Sequence, residues 1–177
     1  MNKKRTLMLL TASAAGTVLY NLLKPTRSIL PVVNNFNINK YLGRWHEIAR
    51  LDFFWEKNLK NVVAKYCLNN NGTIKVINQG QHIYTDKIKT SIGKAKFAKT
   101  ENIGALKVSF FGPFYSGYNI MHIDENYQHA LIFGENLNYL WILSRTKTIP
   151  PEIKTKYLDY AKKSGYTIEN LTWTEHD

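Results

Sequence analysis

A single cysteine, Cys67, stands in 177 residues, so no intrachain disulfide can form. The fold has to be held by packing and hydrogen bonds alone. Cys67 falls in the strand-like run Val62-Val63-Ala64-Lys65-Tyr66-Cys67-Leu68, where a small apolar side chain is the plain reading and a reactive thiol the sharper one. The machinery of catalysis is equally sparse. Histidines at 46, 82, 122, 129 and 176 lack the spacing of metal ligands. His46-Glu47-Ile48-Ala49-Arg50 copies the first half of a zinc-protease motif, but its fifth position is Arg50. The run also reads as a strand, where residues four apart do not form a helical metal-binding pair. There is no Gly-x-Ser-x-Gly elbow and no phosphate-cradling glycine loop. These absences predict a protein that is not an enzyme and that uses neither metal nor cofactor.

Acidic residues are scarce as well, 13 against 24 Lys and Arg, for a net charge of +11. Residues 1–30 contain Lys3, Lys4, Arg5, Lys24 and Arg27 and no acid. The remaining excess is dispersed without a run of like charge. Nucleic-acid binders concentrate such charge on one face or tail, so no nucleic-acid partner is expected. Dispersed lysine suits a solvated surface with mild attraction to anionic lipid headgroups.

Lys3-Lys4-Arg5 precedes an uncharged, largely apolar stretch from Leu7 to Leu23. A basic end followed by such a stretch directs insertion into a membrane. Ala12-Ser13-Ala14 offers a cleavage site for an export signal, but the apolar run before it is very short. Read as a permanent anchor, the stretch is marginal and interrupted by Thr11, Ser13, Thr17 and Asn21. Either way residues 1–30 are expected to be a signal or anchor segment with a linker, and residues 31–177 the folded domain. A bacterial lipoprotein would carry a cysteine just after the apolar stretch, and none stands there.

From residue 41 the pattern is that of short strands separated by turn signals. Strands are predicted over 43–51, 62–68, 73–79, 87–98, 105–110, 118–123, 129–134 and 138–145. Asn69-Asn70-Asn71-Gly72 marks a tight turn, because Asn and Gly tolerate positive φ. Gly112 to Gly117 reads as an aromatic turn. Eight strands with short connections make an all-β, antiparallel up-and-down barrel, whose closure removes exposed edges. The period then changes: after Pro150-Pro151, residues 152–164 place Ile153, Tyr157, Tyr160 and Ala161 on one helical face. One C-terminal helix should flank the barrel, followed by a last short strand over 166–173. Eleven Tyr, eight Phe and four Trp are enough to line a barrel or to fill it.

Val33-Asn34-Asn35-Phe36, Tyr41-Leu42-Gly43-Arg44-Trp45-His46-Glu47-Ile48-Ala49-Arg50, Leu106 to Tyr115 and Tyr139-Leu140-Trp141-Ile142-Leu143-Ser144-Arg145 follow one another at a characteristic spacing. In these segments the chain resembles the bacterial outer-membrane lipocalins, from Val32 to Trp173. The resemblance implies a barrel closed at one end and open at the other, which carries a fatty acid or lysophospholipid and serves membrane maintenance in the cell envelope. It also implies a structural signature of Gly43, Trp45, Asp124, Tyr127 and Arg145, with Trp45 closing the floor and Arg145 laid across it. His46 stands where the family has tyrosine. The missing lipid-anchor cysteine leaves attachment at either the outer or the inner membrane.

Because side chains alternate in and out along barrel strands, Tyr139, Trp141 and Leu143 share the parity of Arg145. Leu106, Val108 and Phe110 avoid the lysine face of their strand, and Tyr118 and Ile120 are their expected neighbours around the ligand. Phe53, Phe54 and Trp55 fall in the first long loop and should rim the mouth, as a lid, a membrane-dipping wedge or loop packing. Lys57, Lys60 and Lys87 are candidates for a headgroup. Two alternatives stay open: a cavity-thiol enzyme using Cys67 on an apolar substrate, and a structural envelope protein whose barrel is filled by Phe110, Tyr118 and Trp141. A homodimer is left open too.

Overall fold

The computed structural model describes residues 31–51 and 56–177. The proposed signal or anchor segment, and with it Phe53, Phe54 and Trp55, lies outside the described residues. A one-turn helix, Ile38–Tyr41, leads into eight antiparallel strands: β1 Gly43–Leu51, β2 Leu59–Leu68, β3 Ile74–His82, β4 Ile88–Phe97, β5 Ala105–Phe111, β6 Phe114–Ile123, β7 His129–Phe133 and β8 Leu140–Ser144. A longer helix, Pro151–Lys163, a short 3₁₀ turn, Ile168–Asn170, and β9, Leu171–Trp173, complete the order.

Each strand pairs with the next, and β1 closes the circle by pairing with both β8 and β2. Trp45 faces Ala64 across one seam and Glu47 faces Leu143 across the other. The turn signals act as their chemistry requires: Gly72 has φ +77°, and the Asn71 side-chain oxygen accepts from Thr73 N at 3.1 Å. The one-turn helix was not legible in the pattern; the Asn37 side chain caps it through Asn39 N at 3.0 Å. Residues 114–117, read as a turn, instead extend β6, because the hairpin tightens to the two residues between Phe111 and Phe114. Most of 166–173 is likewise not strand, since the 3₁₀ turn occupies its middle.

The strands divide two cores. Inward side chains such as Trp45, Tyr66, Ile74 and Leu143 fill the lower barrel. Outward ones such as Leu131, Leu140 and Ile142 are covered by the long helix through Tyr157 and Ala161. That helix has Pro151 in its first turn, Glu152 at its positive end, Lys162 and Lys163 at the other, and Gly165 at φ +91° just beyond. Tyr157 fixes its position by donating to the His129 carbonyl at 2.9 Å.

Residues 171–177 have a role that periodicity could not show. β1 pairs with β2 only through His46, and beyond that point β9 takes the same edge of β1. Thr174 N then donates to the Ile48 carbonyl at 3.0 Å, and Asn61 N of β2 donates to the Glu175 carbonyl at 2.7 Å. This C-terminal segment is thus stitched between β1 and β2 where the two strands diverge.

Candidate ligand-binding site

Strand polarity sets the two ends of the barrel. At the floor, the Arg145 guanidinium lies 3.9 Å from the Trp45 ring centroid. A planar cation over an indole contributes about 1–2 kcal/mol when partly desolvated. Its N–H groups also donate to the Arg44 carbonyl at 2.7 Å, the Leu42 carbonyl at 3.0 Å and the Tyr127 carbonyl at 3.2 Å. Gly43 has φ +95°, and a Cβ there would meet Arg145 Nη1 at 3.4 Å. Asp124 caps the neighbouring turn, accepting from Gln128 N at 2.8 Å and His129 N at 2.5 Å. Tyr127, at φ +56°, accepts on its hydroxyl from Asn37 N at 2.9 Å. The five signature residues therefore meet at one end of the barrel.

Above this floor the barrel encloses a cavity of about 840 Å³, within the usual range for ligand pockets. Leu106, Val108, Phe110, Tyr118, Tyr139 and Trp141 line it. Ile120 does not; it is fully buried in the core beside the cavity. The rings stand along the wall: Trp141 stacks with Tyr139 at 6.2 Å and with Tyr118 at 6.4 Å between centroids. They leave the volume open, so the barrel is not filled by its own side chains. Of the lysines considered for a headgroup, none of Lys57, Lys60 and Lys87 lines the cavity, whereas Lys89 does. Lys60 pairs instead with Asp177 at 3.1 Å.

The polar groups in the wall were not apparent in the sequence. Tyr118 shares hydrogen bonds with the hydroxyls of Tyr41 at 2.6 Å and Tyr66 at 2.8 Å. Burial pushes the Tyr66 phenol up to about 12 and raises Tyr41 and Tyr118 well above the ordinary value, so all three stay protonated. Glu47, inward on β1, accepts from Arg50 at 2.6 Å in a buried contact and from the Thr174 hydroxyl at 2.7 Å. Glu56 accepts from Trp141 Nε1 at 3.3 Å. Asn78 also lines the wall, and its side-chain oxygen has no partner among the described residues. The signal for Glu47 was its parity with Trp45, obscured by its place in a metal-like motif.

Cys67 does not line the cavity. Ala64 and Tyr66 of β2 do, and Cys67 has the parity of exposed Lys65 on the outer face. A thiol there cannot reach a substrate in the barrel, which removes the basis for the cavity-thiol alternative.

The model of the lipocalin-like domain family matches residues 36–176. The outer membrane lipoprotein Blc of Citrobacter freundii is 46% identical over 144 residues, 81% of each chain. That of Escherichia coli strain K12 is 43% identical over 173 residues, 97% of each chain. Mouse apolipoprotein D is 34% identical, covering 82% of this chain and 79% of its own. Among solved structures, insecticyanin from the tobacco hornworm superimposes with a TM-score of 0.66 at 19% identity, over 85% of this chain and 86% of that one, which speaks for the fold alone. With its closed eight-stranded barrel, flanking helix and cation-capped tryptophan floor, the chain belongs to the lipocalin-like family, as a lipocalin of the Blc type.

Proposed function

We propose that this protein carries one single-chain lipid, a fatty acid or a lysophospholipid, in the bacterial cell envelope, and serves membrane maintenance there. The observation that carries the reading is the cavity itself: one end sealed by Trp45 and Arg145, the wall built from Leu106, Val108, Tyr118 and Trp141, and about 840 Å³ within. An acyl chain has no directional needs, so apolar walls and a closed floor suffice to hold it. Burying ten methylenes at ~0.8 kcal/mol each supplies a gross ~8 kcal/mol. The phenol cluster and Asn78 give the cavity a few polar groups to orient a ligand, the usual source of selectivity in such pockets. The envelope assignment draws on the outer membrane lipoproteins to which the chain is similar. The domain doing this is residues 31–177, and residues 1–30 deliver or tether it. The protein acts by binding.

The test is native mass spectrometry with lipid extraction on the protein purified from its own envelope. A co-purifying fatty acid or lysophospholipid, displaced stoichiometrically by added lysolipid, is the expected result. A protein that comes without lipid and takes up none when it is added would overturn the reading.

A further inference from the structure

The two ends of the barrel differ in what they show to solvent. The floor-end turns are polar, with Asn70, Asn71, Glu101, Asp124 and Glu125. At the mouth, two hairpins that neighbour each other through the β4–β5 pairing expose large apolar side chains. In the β3–β4 hairpin Tyr84 is 76% and Ile88 58% exposed, and in the β5–β6 hairpin Phe111 is 73% and Phe114 61%. Single exposed apolar residues are ordinary, but a group of them gathered at one rim marks an interaction surface.

Charge is gathered beside these tips. Lys94 and Lys96 of β4 and Lys107 of β5 stand around the Tyr115 ring, their ammonium groups 5.9, 4.9 and 5.8 Å from its centroid. The Tyr115 ring face draws the three ammonium groups together on the outer wall, next to the Phe111–Phe114 turn. Lys87 and Lys89 flank the other tip, and Asp86 is the one acid between them and Tyr84. Apolar tips with a belt of lysine behind them match the profile of a bilayer surface: acyl chains and interface first, anionic phosphates behind. A second protein surface would have to pair the same lysines with acids, and a second copy of this chain brings only 13 acids against 24 Lys and Arg.

We propose that the β3–β4 and β5–β6 hairpin tips are a docking surface for an anionic lipid bilayer, which seats the barrel with its mouth toward the membrane. Tyr84, Ile88, Phe111 and Phe114 enter the interface, and Lys94, Lys96 and Lys107 lie against lipid phosphates. Phe111 and Phe114 also line the cavity at its mouth, a position that would let a lipid pass from membrane to barrel without crossing water.

The test reads the depth of single positions in the full-length chain, so attachment through any other part does not mimic it. In a Cys67→Ser background, Gly112→Cys places a fluorescent label at a tip where a Cβ meets no atom within 4 Å, and Lys99→Cys places one at the floor end. The vesicles are an equimolar mixture of phosphatidylglycerol and phosphatidylcholine with doxyl-labelled acyl chains, compared with phosphatidylcholine alone. Quenching of the tip label but not the floor label, only with the anionic lipid, is the expected result. Phe111→Ser with Phe114→Ser should abolish it, and each of Lys94→Glu, Lys96→Glu and Lys107→Glu should weaken vesicle partition at least about fivefold at low salt. No quenching at the tip, equal quenching at both ends, or equal quenching by the two vesicle types overturns the proposal. So does a shift of the tip label that needs only higher protein concentration, which would mean that a second copy covers the tips. Uptake of a fluorescent fatty acid, measured in parallel without vesicles, separates this outcome from failure of the carrier reading.

Discussion

The floor and the cavity of this barrel use the same residue types to opposite ends. At the floor, Trp45 is fully buried, donates from Nε1 to the Tyr41 carbonyl at 2.8 Å and lies under a guanidinium that ties down several carbonyls. In the cavity, Trp141 stacks between two tyrosines, gives its N–H to Glu56 at 3.3 Å and leaves one side toward the ligand space. Both are tryptophans on inward strand positions. What separates them is how many directions are already occupied by protein: all of them at the floor, only some in the wall. A floor ring therefore works through stability and a wall ring through affinity, and few residues should do both.

The sharpest way to break that distinction is Trp45→Ala. Removal of a fully packed ring should cost about 3–5 kcal/mol, read from urea unfolding, with loss of ligand binding only as a consequence of unfolding. Glu47→Ala comes next, because it removes the carboxylate that the buried Arg50 guanidinium meets at 2.6 Å. Breaking such a pair costs about 3 kcal/mol, so the unfolding midpoint should fall markedly while the cavity keeps its apolar lining. Trp141→Ala belongs to the other class. Lipid affinity should drop about tenfold or more, in line with the loss of one or two kcal/mol of ring contact, while the urea midpoint moves little. If Trp141→Ala unfolds the protein as readily as Trp45→Ala, the distinction fails.

The smallest expected effect lies outside the barrel. His122 packs edge-on to Tyr160 at 4.3 Å, and burial, with Lys156 adding to it, lowers its pKa below the ordinary 6.5. His46, with its ring 5.2 Å from that of His176, is shifted the same way, first by burial. A histidine held neutral stabilises the fold fully above the unfolded value of 6.5, and that contribution is lost as pH falls through the lower folded value. The thermal midpoint should therefore decline from pH 7 toward pH 5, and less steeply in His122→Phe. The cavity phenols, all shifted upward, do not titrate in that range, so lipid affinity of the folded protein should stay level over it.

Legibility in the sequence followed the range of the interactions. The strands of the barrel were readable because alternation and turn chemistry are local: Leu106 and Val108 inward, Lys107 outward, Gly72 at a positive-φ corner. The flanking helix was readable from its Pro start, its Gly stop and the spacing of Tyr157 and Ala161. Ile120 was misplaced because parity identifies the inside of a barrel but not height, and its height puts it in the packed core. Glu47 was passed over because its partners, Arg50 and Thr174, include one 127 residues away.

The sequence by itself determined that this chain forms a closed antiparallel barrel with a flanking helix, since period and turn residues act over a few positions. The resemblance of its signature segments to the lipocalins further implied that Trp45 and Arg145 mark one end. Only the tertiary structure decided that the barrel encloses space rather than filling it, that Cys67 faces outward, and that residues 171–177 hold β1 and β2 together where they part. It alone gathered Lys94, Lys96 and Lys107 around Tyr115 beside an apolar rim. Those outcomes depend on strand register and on the height of each residue along the barrel, which long-range pairing fixes and local pattern does not encode.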